Sequence, residues 1–282
     1  MKLDLRFSIT YKEIDMASSE LQNKVVWITG ASSGLGKALA TECASKGAVL
    51  ILSARRVEEL EKVRLSLANP EQHISITVDI TDENQVRHAY EEVLKAKGRI
   101  DWLINNAGLS QRALIAETTM QTERAIMEVD YFSQVFLTKT VLPTLLKQQS
   151  GRVIFISSVA GLLGVQYRAT YSAAKGAVHM WANSLRAEVA DQGVGVSVVF
   201  PGFVKTNVSF NALNGEGKPQ GHQDEVIENG LDADDFARQT VTALLNNEEF
   251  IVVSKVKEKL GVWVSRLSPK TLYKMIRKTK VK

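Results

Sequence analysis

The 282-residue chain has one cysteine, Cys43, and therefore no means of forming an internal disulfide or a multi-cysteine zinc site. Such a chain suits a reducing compartment, and a cytoplasmic location is expected. Five prolines and 18 glycines are too few for a collagen-like or largely disordered chain. No apolar run approaches the ~20 residues of a membrane span. The N-terminal stretch MKLDLRFSITYKEIDMASSE intersperses charges and lacks an apolar segment, so it is not read as a signal peptide. The four histidines, His73, His88, His179 and His222, show no metal-ligand spacing, and no metal is expected.

What is present begins with an uneven charge. The chain carries +4. Residues 255–282 hold ten basic residues and one acid, Glu258, a local +9; the remaining 254 residues hold 25 basic and 30 acidic side chains, net −5. A mildly acidic body does not suit nucleic-acid binding.

Short apolar runs rich in Val and Ile lie at 24–29, 48–53, 74–79, 101–104, 152–157, 195–200 and 250–253. Runs without strict alternation suit strands buried on both faces. Helix-length stretches separate them at 34–46, 56–68, 82–97, 119–148, 169–191 and 232–246, with Thr81 or Asp82 as an N-cap. Strand alternating with helix means an α/β fold, a parallel sheet covered on both faces. Residues 207–230 break the rhythm, and read either as a lid over a pocket or as disorder.

The first run leads into Thr29-Gly30-Ala31-Ser32-Ser33-Gly34-Leu35-Gly36 and then a helix. Strand, glycine turn and helix start is what a dinucleotide pyrophosphate needs, because backbone N–H groups then face the phosphates closely. An acidic residue that would hold a ribose 2′-hydroxyl is expected about 20 positions on. Here the second run ends Ala54-Arg55-Arg56. Arginine grips a 2′-phosphate that a carboxylate would repel, which favours NADP(H) over NAD(H). The plainer reading makes Arg55 and Arg56 solvated residues at a helix start. At Val78-Asp79-Ile80, Asp79 is either an adenine contact, with Ile80 beside it, or a cap for the following helix.

Tyr171 and Lys175 in YSAAK stand i, i+4 on one helix face. A lysine ammonium near a phenol stabilises the phenolate, which makes the tyrosine a usable acid or base. Ser158 follows the fifth run, thirteen residues upstream, where a hydroxyl can bond a substrate carbonyl.

The motifs TGASSGLG (29–36), NNAG (105–108), ISS (156–158), YSAAK (171–175) and PGFVKT (201–206) resemble those of a classical short-chain dehydrogenase/reductase, in that family's order, over about residues 23–254. The resemblance implies a single doubly wound Rossmann fold with a seven-stranded parallel sheet, and hydride transfer between NAD(P)H and a carbonyl or alcohol. It implies Tyr171 as acid/base, Lys175 as the holder of the nicotinamide ribose, and Ser158 as the substrate-orienting hydroxyl. Asn106, Ala107 and Gly108 resemble the backbone around the adenosine ribose, and Asn105 a residue that stabilises the sheet. Pro201, Gly202, Val204 and Thr206 resemble the nicotinamide-side contacts. One position departs: Asp130 stands where the family has an asparagine that helps hold a water near the lysine. An ionised aspartate accepts hydrogen bonds but cannot donate them. This substitution reads as a tolerated variant with an altered pH profile, or as impaired chemistry in a non-catalytic NADP(H)-binding or membrane-recruited regulatory protein.

The expected organisation is an extension over 1–22, a catalytic domain over 23–254 and a basic tail over 255–282. The expected activity is that of an NADP(H)-dependent carbonyl reductase or alcohol dehydrogenase. Its substrate is a small lipophilic carbonyl or alcohol, from the apolar run Leu162, Leu163 and Val165 together with the 207–230 segment; a 3-oxoacyl thioester is the narrower alternative. The family implies a homodimer or homotetramer. Cys43 is read as a small buried hydrophobe, and Met180 and Trp181 as core or subunit contacts. In the tail, Val262, Trp263, Val264, Leu267, Leu272, Tyr273, Met275 and Ile276 interleave with lysine and arginine. Such a segment either contacts an anionic membrane peripherally or docks on its own domain or a dimer mate. The tail, with LSARR, INNAGLSQR and ARRVEEL, also resembles the dehydrogenase/reductase member 7 subgroup, whose relatives include membrane-associated reductases of lipid and steroid carbonyls.

Overall fold

The computed structural model describes residues 20–278. Most of the 1–22 extension and residues 279–282 of the tail lie outside the described residues. Seven strands, β1 (Val25–Thr29), β2 (Val49–Ala54), β3 (Ile74–Thr77), β4 (Trp102–Asn105), β5 (Gly151–Ile156), β6 (Val194–Pro201) and β7 (Phe250–Val253), form one parallel sheet in the order β3-β2-β1-β4-β5-β6-β7. Every residue of β1, VVWIT, is buried, as expected of a central strand packed on both sides. The chain reverses its direction of winding between β1 and β4. The crevice beyond the carboxyl ends of these two strands is therefore where a ligand belongs.

The α-helices of the described residues are α1 (Gly34–Ser45), α2 (Val57–Ser66), α3 (Glu83–Lys97), α4 (Met120–Met127), α5 (Ser133–Gln148), α6 (Ala160–Leu163), α7 (Ala169–Glu188), α8 (Glu225–Glu228), α9 (Ala233–Leu245), α10 (Val256–Leu267) and α11 (Pro269–Lys278). One apolar layer joins the sheet to α1, α2 and α9 through Leu39, Cys43, Leu60, Phe236 and Val241. The other joins it to α3, α5 and α7 through Val93, Leu137, Val141, Val178 and Leu185. Cys43 is fully buried, and burial pushes its thiol up to about 12, as befits a packing residue. Trp181 stacks edge-on against Phe155, while Met180 is exposed.

Three expectations change. The stretch 119–148 is not one helix: a π-helical turn, Glu128–Phe132, separates α4 from α5. Such turns displace side chains from helical register and cluster at functional sites. β3 stops at Thr77, two residues early, because Asp79 turns the chain: its Oδ1 accepts from the Thr81 N–H and hydroxyl. Asp82 then caps α3, accepting from Asn84 N and Gln85 N. Segment 207–230 is held down rather than loose. Leu213 N donates to Ser110 O and Arg112 N to Leu213 O, both at 2.8 Å. The segment also supplies Asp224 to a buried ion pair with Arg112 at 2.6 Å.

Candidate active site

The glycine loop closes over the end of β4. Gly30 and Gly34 hold φ of +65° and +55°, which side chains rarely tolerate. A Cβ on Gly36 would lie 2.3 Å from the Gly30 carbonyl oxygen and 2.6 Å from Asn106 Nδ2. One on Gly30 would lie 2.8 Å from Ala107 Cα. Asn106 secures this approach, with its Nδ2 donating to Thr29 O at 2.9 Å. Asn106 N and Ala107 N donate to Thr29 Oγ1 at 3.0 and 3.1 Å. Asn105 is buried and donates to Thr138 Oγ1, tying β4 to α5. Ser33, the residue before α1, gives the helix no side-chain cap, so its first N–H groups are left for a ligand. Leu35 packs on the core, and Thr206 meets the loop at Gly34 from the β6 side.

The two arginines divide. Arg56 donates to Ser32 Oγ and Ser33 Oγ at 3.0 and 2.8 Å, placing its charge on the glycine loop. Arg55 is exposed and 3.9 Å from Asp79 Oδ2. Ile80 packs partly against the core. Past β6, Gly202 N donates to Val253 O, Pro201 O accepts from Val159 N, and Val204 is buried.

Tyr171 stands in the first turn of α7 and Lys175 one turn on, with its Nζ 5.8 Å from the centre of the Tyr171 ring. Lys175 is buried and donates to Ile156 O at 3.2 Å. The hydroxyl of Ser157 donates to the Lys175 carbonyl, pinning α7 to β5. Ser158 Oγ accepts from Ala160 N at 3.1 Å, which leaves its own proton free to donate. The site thus gathers Ser158, Tyr171 and Lys175 at the carboxyl end of β5.

Asp130, in the π turn, is fully buried 3.4 Å from Lys175 Nζ, and its other oxygen accepts from Leu109 N at 2.6 Å. Burial pushes this carboxyl above the usual carboxylate range, against the opposing pull of Lys175 and the Leu109 N–H. Gly108 gives this pair room: a Cβ there would lie 3.1 Å from Lys175 Nζ.

Two features escape the sequence reading. Gln111 is buried, and its Oε1 accepts from Thr170 N and Tyr171 N at 2.9 and 3.3 Å, capping the helix that carries the tyrosine. Arg168, the residue before α7, is buried over the Phe203 ring and 3.6 Å from Asp224. Burial and the neighbouring Arg112 lower Arg168 to about 10. Their contacts to Thr170, Phe203 and Asp224 span 35 or more residues of chain, so no local spacing announces them.

A dinucleotide fits these residues: two glycines leave no room for side chains, the helix start after them has no side-chain cap, and a guanidinium sits on the loop. A family model for short chain dehydrogenase matches residues 24–216. The chain belongs to this family. It is 39% identical over 269 residues to the "Dehydrogenase/reductase SDR family protein 7-like" of Drosophila melanogaster, covering 94% of this chain and 82% of that one. A short-chain dehydrogenase from Streptomyces avermitilis superposes with a TM-score of 0.78 at 30% identity, covering 92% and 99% of the two chains. An alcohol dehydrogenase from Thermococcus sibiricus, complexed with 5-hydroxy-NADP, gives 0.71 at 27% identity, covering 83% and 97%. The enzyme is thus an oxidoreductase of a family that uses a nicotinamide cofactor, and its curated relatives bear the member 7 name.

Proposed function

We propose that the enzyme is an NADP(H)-dependent carbonyl reductase or alcohol dehydrogenase acting on a lipophilic substrate. The observation that carries this reading is the convergence of Ser158, Tyr171 and Lys175 beside the glycine loop. Gly30–Gly36 and the start of α1 hold the pyrophosphate; Asn106, Ala107 and Gly108 line the adenosine ribose. Pro201, Gly202, Val204 and Thr206 flank the nicotinamide, which when bound supplies or accepts the hydride. Lys175 holds the nicotinamide ribose and keeps positive charge beside the phenol. Ser158 donates to the substrate oxygen, while Tyr171 delivers its proton in reduction and withdraws it in oxidation. Exposed Leu114, Ile115, Val208 and Phe210 stand on two loops that hydrogen-bond to each other, which supports a lipophilic substrate. Exposed Met120 and Phe132, on α4 and the π turn, support a homo-oligomer.

For the cofactor, Arg56 on the loop and the lack of an acid at Ala54 support NADP(H). Arg56→Ala is expected to weaken NADPH roughly tenfold to a hundredfold and NADH much less, because a charge-assisted phosphate contact contributes about 1.5–3 kcal/mol. Titrating both cofactors checks this, with Arg55→Ala as the companion; equal weakening of both discards the NADP(H) assignment. NADPH consumption against a panel of ketones, aldehydes and 3-oxoacyl thioesters tests the activity itself.

The buried Asp130 favours one second reading, a binding-only protein. Its raised carboxyl means that the folded state holds a proton more tightly than the unfolded state. Native stability therefore falls as pH climbs from about 4 through the elevated value. Asp130→Asn lacks this titration, so the variant's melting temperature minus that of the wild type should rise across that window. A flat difference removes the burial argument. Turnover that appears in Asp130→Asn and is absent from the wild type would establish the binding-only reading.

A further inference from the structure

The C-terminal segment docks on its own domain by one face and leaves a second apolar face outside. Facing inward, Val262 is buried, a Cβ on Gly261 would lie 3.3 Å from Leu163 Cδ1, and the Arg266 guanidinium lies 4.5 Å over the Phe250 ring. Leu272 of α11 is buried as well. Facing outward, Val256, Leu260, Trp263 and Leu267 are 82, 56, 64 and 80% exposed. Their spacing of i, i+4, i+7 and i+11 draws a single stripe along α10. On α11, Tyr273 is exposed as well.

Charge frames this stripe on one side of zero. Lys255, Lys257, Lys259, Arg266, Lys270, Lys274 and Arg277 are all exposed. Glu258, the one acid of the segment, turns inward beside Gly202 with its Oε2 buried. The exposed charged side chains described in this segment are therefore all cationic.

We infer that α10 and α11 seat the enzyme on an anionic lipid surface, with the Val256–Leu260–Trp263–Leu267 stripe in the headgroup boundary and the lysines on the lipid charges. Charge decides the occupant. A second copy of this chain meeting the stripe across a two-fold axis would set lysines against lysines. A bilayer rich in acidic lipid offers an apolar layer edged by negative charge, the complement of this face. Tryptophan and tyrosine are the side chains that settle at such a boundary. No described helix is long and apolar enough to cross a membrane, and α10 and α11 would meet the lipid by one face only. By its inner face α10 packs on α6, which begins two residues after Ser158, so the helix that carries the stripe is joined to the proposed site through α6.

Flotation of the purified full chain tests this, with vesicles of phosphatidylcholine alone and of equimolar phosphatidylcholine and phosphatidylserine. The wild type should float with the acidic vesicles, detach at high salt, and stay down with the neutral ones. The triple variant Leu260→Ser/Trp263→Ser/Leu267→Ser changes exposed residues only and should bind at least about a hundredfold more weakly, with an unchanged melting temperature. Lys255→Glu/Lys257→Glu/Lys259→Glu should lose the acidic-vesicle binding too. The inference is overturned if the wild type stays down with acidic vesicles or binds both kinds equally. It is overturned likewise if the triple variant floats as well as the wild type. A self-association that the triple variant abolishes, without flotation, identifies a second copy as the occupant and overturns it. The outcome is independent of the catalytic reading, since Tyr171→Phe should float like the wild type.

Discussion

Tyr171→Phe should lower kcat/KM for carbonyl reduction by about 10²–10⁴ and leave NADPH affinity nearly unchanged. The substitution removes one oxygen and keeps the ring beside Lys175, whose Nζ lies 5.8 Å from its centre. Lys175 retains its contacts to Ile156 O and Asp130, and α7 retains its Gln111 cap. What disappears is the proton donor. Ser158 does not replace it, because a serine hydroxyl donates a hydrogen bond but gives up its proton far less readily than a phenol. Initial rates and a cofactor titration on the same preparation separate chemistry from binding. Equal rates in the two proteins would sink the mechanism, and a parallel loss of NADPH affinity would make Tyr171 a packing residue.

The second large effect belongs to Gly36→Ala. The added methyl would sit 2.3 Å from the Gly30 carbonyl oxygen and 2.6 Å from Asn106 Nδ2. The first of these is backbone, and the second is fastened to Thr29. Neither yields without opening the loop, at a cost on the order of 3 kcal/mol, equivalent to roughly a hundredfold in cofactor affinity. Thermal unfolding with and without NADPH reads both losses. Gly98→Asn is the control: Gly98 ends α3 at φ +71° with nothing within 4 Å, and asparagine tolerates that conformation. Equal behaviour of the two variants would mean that the loop relaxes freely, contrary to its close packing.

The parts legible in the sequence are those written locally. Seven apolar runs divided by amphipathic stretches specify the parallel sheet, and the glycine loop and the i, i+4 pair specify their own shapes. Asp130 meets Lys175, in keeping with its standing at the position of the family asparagine near that lysine. The rest depends on partners brought together by folding. Nothing near residue 111 says that its amide will cap a helix beginning 58 residues later. The division of labour between Arg55 and Arg56 turns on where the α2 start points each side chain, which adjacent identical residues do not reveal. In the tail, the interleaved pattern supported docking and surface contact alike. The fold gives Val262 and Leu272 to the first, and leaves the stripe of α10 to the second reading.

Gln111 has a consequence for how this enzyme can diversify. The same residue pairs with Leu213 of the 207–230 segment and holds the amides of Thr170 and Tyr171. Substitutions that remodel the segment to admit a new substrate therefore tug on the seat of the proton donor. Gains in substrate range and losses in turnover would arrive together, and a laboratory lineage would recover speed by restoring this amide's position rather than by changing the donor.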